Sequence, residues 1–258
     1  MEGGMSRPDP THPDQPLREF DVLRAICAPG RLHDPRIQIG PGDDLASIAM
    51  VAPGQTLPPG DRPALVGVDQ LVDGIHVDLR QASLAQAGRK AVARSVSDIA
   101  AMAGRPVGTV VAALVPRSFS TRQSGELFDA MEQAATEFHA PLIGGDLSVH
   151  REEAAKLSCA VTVLAIPPAE GAVTRGGARP GDGLYVTGVL GGGWTTDHHL
   201  VFRPRLAEAT MLRTILGQRL HAMIDLSDGL GRDVGHLVES RPLDVTVTDT
   251  SVPVRPGF

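Results

Sequence analysis

Apolar and polar positions along this chain fall into alternating strand-like and helix-like stretches. The run Ala64, Leu65, Val66 and Val68 predicts a buried strand that stops on a carboxylate, Asp69, followed by the turn Asp73-Gly74 and by His76. Residues 83–102 then place Leu84, Ala91, Val92, Val96, Ile99 and Met102 at helical spacing, and Ala103-Gly104-Arg105-Pro106 closes that helix. Residues 107–115 are almost wholly apolar and read as a central strand ended by Pro116. Leu127, Met131, Ala134 and Phe138 share one face of a second helix. Pro141-Leu142-Ile143 predicts a short strand that enters a glycine turn, Gly144-Gly145, before Asp146, and residues 157–164 predict another strand. Upstream, residues 17–26 have the spacing of a short helix, and Ile37-Gln38-Ile39 reads as a brief strand leading to Gly40-Pro41-Gly42-Asp43-Asp44.

Pro167-Pro168 is the strongest candidate domain boundary. Beyond it, residues 184–188 predict a strand, Leu206, Ala209, Leu212 and Leu216 a helix, and residues 223–230 an apolar entry into an acidic turn. Leu243, Val245 and Val247 alternate with polar residues, which predicts a half-exposed strand. The reading is an α/β (α+β) chain with a disordered tail over 1–16, a first domain over 17–166 and a second, C-terminally incomplete domain over 167–258.

Composition narrows the function. The net charge of −6 and the 3% aromatic content argue against a nucleic-acid groove, which needs cations and stacking rings. No apolar run approaches the ~20 residues of a membrane span, so no membrane partner is expected. Cys27 and Cys159 lack metal or disulfide spacing, which points to a reducing cytoplasm. What recurs is an apolar segment delivering aspartate: Asp43-Asp44, Asp69, Asp98, Asp146, and Asp225 with Asp228. Each alone also describes a solvated turn. Asp98 is the exception, because a carboxylate inside an apolar helix is costly unless capped, exposed or paired with a cation.

Six stretches together resemble thiamine-monophosphate kinase, within the wider aminoimidazole ribonucleotide synthetase superfamily. They are GPGDDLA (40–46), VDQLVDGIHVDL (68–79), AGRKAVARSVSDIAAMAG (87–104), LIGGD (142–146), TRGGARPGD (174–182) and DLSDGL (225–230), in the family's order. The resemblance implies the two-domain synthetase-like fold, a homodimer, and ATP-dependent phosphorylation of thiamine monophosphate with Mg2+. It implies Asp44, Asp69, Asp98, Asp146, Asp225 and Asp228 as metal ligands. It implies Gly145, Asp146, Arg175 and Ser227 as nucleotide contacts and His76 as a substrate contact. The acceptor is already anionic, so no acid–base residue is assigned. Gly67 and Val68 stand where the family usually carries a hydroxyl pair, and Ser95 where it carries Asn. The alternatives are another ATP-dependent synthetase of the superfamily, or a nucleotide-binding dimerisation protein without turnover.

Overall fold

The computed structural model describes residues 34–239 and 242–257; the expected tail and the expected helix over 17–26 lie outside them. One six-stranded sheet organises the first part of the chain, in the order β1-β2-β3-β6-β4-β5. Its strands are β1 (Ile37–Ile39), β2 (Ala46–Ile48), β3 (Ala64–Val72), β4 (Arg105–Val115), β5 (Leu142–Val149) and β6 (Ser158–Ile166). Neighbours run antiparallel except β4 and β5, which are parallel. That parallel pair needs a crossover, and helix α2 (Thr121–Glu137) supplies it.

Helix α1 (Leu84–Ala101) follows β3 and lies on β3 and β6 beside α2. Both helices start with a capping box. Ser83 and Gln86 bond reciprocally at 3.1 and 2.9 Å, Ser120 and Gln123 at 3.2 and 3.0 Å. Leu65, Leu71, Val92, Val96, Ile99, Val111, Val161 and Val163 form the buried layer between helices and sheet. Gly88 on α1 lets α2 approach closely, since a Cβ there would meet the Leu127 carbonyl, and Ser95 on another face donates to Val161 O of β6 at 3.0 Å.

Strand register assigns the two sheet faces. Asp69, Val161, Val111 and Gly145 stand in one row on the helix-covered face, and Gln70, Ala160, Ala112 and Asp146 in the next row on the opposite face. On that open face, Val68 is 60% exposed and Leu114 36%. None of the described helices covers it.

Downstream of β6 come a 3-10 turn (Arg175–Gly177), α3 (His198–Val201), α4 (Leu206–Leu216) and α5 (Leu230–Val238). Helices α3 and α4 pack on α1, and α5 packs against the 3-10 turn. The strands expected over 184–188 and 243–248 do not form. A strand exists by pairing, and neither stretch pairs with a described neighbour; Tyr185 is 92% exposed. Among the described residues no helix is long and apolar enough to cross a membrane.

Helix α2 ends with its backbone turned by His139, at φ 57°, so that Ala140 N–H reaches Ala135 O at 2.8 Å. That left-handed position costs a side-chain-bearing residue about 1–2 kcal/mol, and His139 is exposed. His139→Gly is expected to stabilise the fold by about 1 kcal/mol, read as a higher urea midpoint; an unchanged or lower midpoint would contradict this account of the cap.

Candidate active site: a buried carboxylate cluster

Three of the aspartates converge. One oxygen each from Asp44, Asp98 and Asp225 lies within 4.8 Å of the others. They arrive from different parts of the chain: the loop before β2, the last turn of α1, and the segment before α5. The segment 174–179 runs alongside 221–225, where Met223 N–H donates to Thr174 O at 3.4 Å. This brings Arg175 to the cluster, and its Nη2 donates to Asp44 Oδ1 at 2.6 Å. Arg175 N–H also donates to Asp43 Oδ2 at 3.2 Å.

The site is charged, and Asp44 is its most buried member. The Asp44 side chain is 0% exposed, and its Oδ2 has no hydrogen-bond partner. Burial, then the charges of Asp69, Asp225 and Asp44, push Asp98 up to about 9. Burial and Asp44 push Asp225 up to about 7, against a hydrogen bond from Ser97. Burial raises Asp44 as well, opposed by Arg175. Asp69 lies at the edge, where Arg94 Nε approaches its Oδ2 at 3.6 Å.

The remaining expected residues fall elsewhere. Asp228 is exposed, with Arg232 at 3.5 Å. The Ser227 N–H donates to Asp233 Oδ2 at 3.0 Å, as do those of Asp228 and Gly229 at 3.2 and 3.1 Å. His76 Nδ1 accepts from Val72 N–H at 3.0 Å, so the imidazole braces its own turn. Gly144 and Gly145 form no turn; they lie inside β5. A Cβ on Gly145 would fall within the Val111 carbonyl, so the glycine serves the close approach of β5 to β4. Asp146 consequently projects from the face opposite Asp69, three strands or roughly 14 Å across the sheet. Gly67 is likewise a packing residue, since a Cβ there would strike Leu45 Cδ2, and Val68 points to the open face.

Sequence reasoning missed Asp233, Arg94 and Lys90. Asp233 is 2% exposed and gathers three consecutive N–H groups that shape the loop holding Asp225. Its signal was a lone acid at the fifth position after Asp228. Lys90, Arg94 and Asp98 recur every four residues along the helix, a period that marks one shared face.

A sheet-and-helix domain carrying carboxylates at its rim defines a class, and the family described as AIR synthase related protein, N-terminal domain, matches residues 42–166. The thiamine-monophosphate kinase of Rhodopirellula baltica is 33% identical over 223 residues, covering 85% of this chain and 67% of that protein. The chain belongs to the thiamine-monophosphate kinase family. The solved thiamine-monophosphate kinase of Stenotrophomonas maltophilia superposes with a TM-score of 0.66 at 25% identity, covering 92% of this chain and 75% of that one. AaThiL complexed with AMPPCP and TMP shares the fold, with a TM-score of 0.65 at 23% identity over 86% of this chain and 70% of that one.

A carboxyl whose folded pKa lies above its unfolded value keeps its proton where the unfolded chain has lost it. The folded state then binds more protons, and stability falls as pH rises from the unfolded value of about 4 toward the folded values of Asp225 and Asp98. Chelator-treated protein is expected to lose stability between pH 5 and 8.5 by up to about 1.4 kcal/mol per pH unit for each proton held. Asp98→Asn should flatten that slope. Urea unfolding across the range reads it, and parallel profiles for parent and variant would contradict the coupling.

Proposed function

We propose that this chain transfers the γ-phosphoryl group of ATP to thiamine monophosphate, giving thiamine diphosphate, with Mg2+ held by the carboxylate cluster. The observation that carries this is the convergence of Asp44, Asp98 and Asp225 on one point with a single guanidinium beside them. The likeness to kinases named for that substrate, and a related fold complexed with AMPPCP and TMP, support the choice of ligands.

The residues fit the metal. Mg2+ takes hard oxygens and keeps waters while binding phosphates, and the donor set here is all carboxylate with an orphaned buried oxygen at Asp44 Oδ2. Asp44, Asp98 and Asp225 would hold it, with Asp69 at the rim. Bound there, Mg2+ supplies charge neutralisation for the phosphate oxygens. Arg175 spends one Nη2 donor on Asp44, and its buried Nε has no partner in the protein, so it retains a donor for a nucleotide phosphate. A phosphate monoester is its own nucleophile, so no side chain need remove a proton. What the chain contributes is position and charge. Asp146, on the opposite sheet face, and Gly145, three strands from Asp69, would reach a nucleotide only from a second copy or along the sheet edge.

The apolar open face, with Val66, Val68, Val110, Leu114 and Leu164 in register, supports a homodimer. We also read residues 167–258 as a second domain, and a reducing cytoplasm as the location, since the two cysteines, Cys27 and Cys159, lie far apart in sequence. On the dimer reading, light scattering at micromolar concentration should give twice the mass of the chain, and Val68→Lys should halve it; a monomeric parent would overturn it.

The activity test incubates the chain with ATP, Mg2+ and thiamine monophosphate and measures thiamine diphosphate by fluorescence after oxidation. Asp98→Asn should abolish formation and weaken Mg-ATP binding by about tenfold or more, the loss of one carboxylate from a shared site. Asp78→Asn, whose partner is Arg80 at 2.7 Å on the surface, should change neither. ATP turnover without thiamine diphosphate would favour another synthetase of the superfamily, and ATP binding without turnover a nucleotide-binding protein.

A further inference from the structure

Lys90 is a buried cation that the mechanism above does not use. It is 6% exposed, and among the described residues the charge that bears on it is another cation, Arg94, one turn along α1. Its Nζ donates to the carbonyl of His76 and lies 2.6 Å from His199 Nδ1. The Trp194 ring stands over the pair, its centre 4.9 Å from Nζ and 4.0 Å from the centre of the His199 ring. An ammonium can donate to a ring nitrogen only where that nitrogen keeps its lone pair. With Lys90 charged, His199 is therefore neutral and carries its proton on Nε2.

The segment that carries both rings is pinned at its two ends by contacts that do not titrate. At one end Leu190 N–H donates to Pro253 O at 2.7 Å, and Leu190 O accepts from Arg255 N–H at 2.8 Å. At the other end Leu200 is 4% exposed within the apolar core, and Phe202 O accepts from Arg89 Nη2 at 3.5 Å. Between the pins, Gly191 and Gly192 turn the backbone at φ 94° and 71°, where glycine is favoured. Arg255 Nη1 donates to Thr196 Oγ1 at 3.0 Å, which ties the middle of the segment to residues 253–255. The side-chain hydrogen bond that ties it to α1 is the one between Lys90 and His199.

We propose that residues 191–199 form a pH-operated strap, held on α1 while neutral His199 accepts from Lys90 and released when that imidazole takes a proton. Protonation would remove the Nδ1 lone pair and place two positive charges at hydrogen-bond distance. The surroundings do little to relieve them. Arg94 adds a like charge from α1, and the turn after β3 offers the His76 carbonyl in place of an acid. On the strap itself Asp197 favours the imidazolium, but its pull is weaker than the push from Lys90. Arg205 and Arg255 act on the neighbouring His198 and lower it as well.

The direction of the switch follows. Burial and Lys90 hold His199 below its ordinary value, and burial and Arg94 bring Lys90 down to about 8. Both groups bind protons less readily in the docked strap, so docking is favoured as pH rises and weakened as pH falls. The Lys90 share of that change is complete a little below its value of about 8. His199 then remains to titrate, from its unperturbed value of about 6.5 downward.

Trp194 is the single tryptophan of the chain, so its collisional quenching by acrylamide reads the strap. Intensity alone would not serve, because a protonated imidazole quenches a neighbouring indole without any movement. Between about pH 7.5 and 5 the quenching constant should rise about twofold as the covered one of the indole's two faces opens, with far-UV circular dichroism constant. His199→Gln should abolish the rise. Lys90→Met should abolish it too, while an intensity titration persists near the ordinary histidine value of about 6.5, since the imidazole can then charge in place. A quenching constant in the parent that does not change with pH would overturn the strap without recourse to any variant. An equal rise in His199→Gln would assign the opening to other groups, the carboxylate cluster among them, and overturn it as well. So would a rise preserved in Lys90→Met, because the repulsion would then play no part.

Discussion

Three carboxylates with oxygens inside 4.8 Å of one another repel, and partial burial adds to that repulsion in favouring their protonated forms. One guanidinium, Arg175, stands against them. That imbalance shapes the surrounding structure. Ser97 places a hydroxyl on Asp225, Asp233 gathers three N–H groups to fix the loop that carries it, and Arg94 draws Asp69 to the edge. Each of these contacts holds a negative group close to others that repel it. Without a cation the arrangement is strained electrostatically; with one, the same proximity becomes affinity.

Helix α1 is the element on which both sides of this depend. Its apolar stripe, Val92, Val96 and Ile99, is fully buried against the sheet and fixes the helix. A second stripe, Lys90, Arg94 and Asp98, runs along a neighbouring face with its charge reversing from one end to the other. The capping box at Ser83 and Gln86 sets where the helix begins, and therefore the phase of both stripes. A register change of one residue would turn Asp98 about 100° away from Asp44 and Asp225.

Much of this was legible in the sequence because period and packing agreed. The helices over 83–102 and around Leu127 to Phe138 were read from apolar spacing, and their buried faces are the ones that spacing names. Local signals failed where long-range pairing decided the outcome. Gly144-Gly145 looks like a turn in one dimension, yet both residues pair with β4 and continue β5, which lies so close to Val111 that only glycine fits at 145. Residues 184–188 and 243–248 carry strand-like patterns, but without a paired neighbour among the described residues the pattern has nothing to satisfy its backbone groups. The carboxylate cluster was half legible. Asp98 stood out because an acid inside an apolar helix violates the pattern, whereas the separation of Asp146 from Asp69 depends on sheet register, which a single sequence does not display.

The residues that break local rules are the ones that gather around the proposed chemistry. Asp44 is an acid with a side chain shut away from water, and Lys90 is a buried cation without an acid. Asp44 meets Asp98 at the acidic end of the charged stripe on α1 and Lys90 stands at the other end, and neither is explained by packing alone, since an apolar residue of similar size would serve the core better at either place. At the acidic end, the proposed Mg2+ would come between the carboxylates and a phosphate. At the basic end the ammonium is spent inside the protein, on His76, His199 and Trp194.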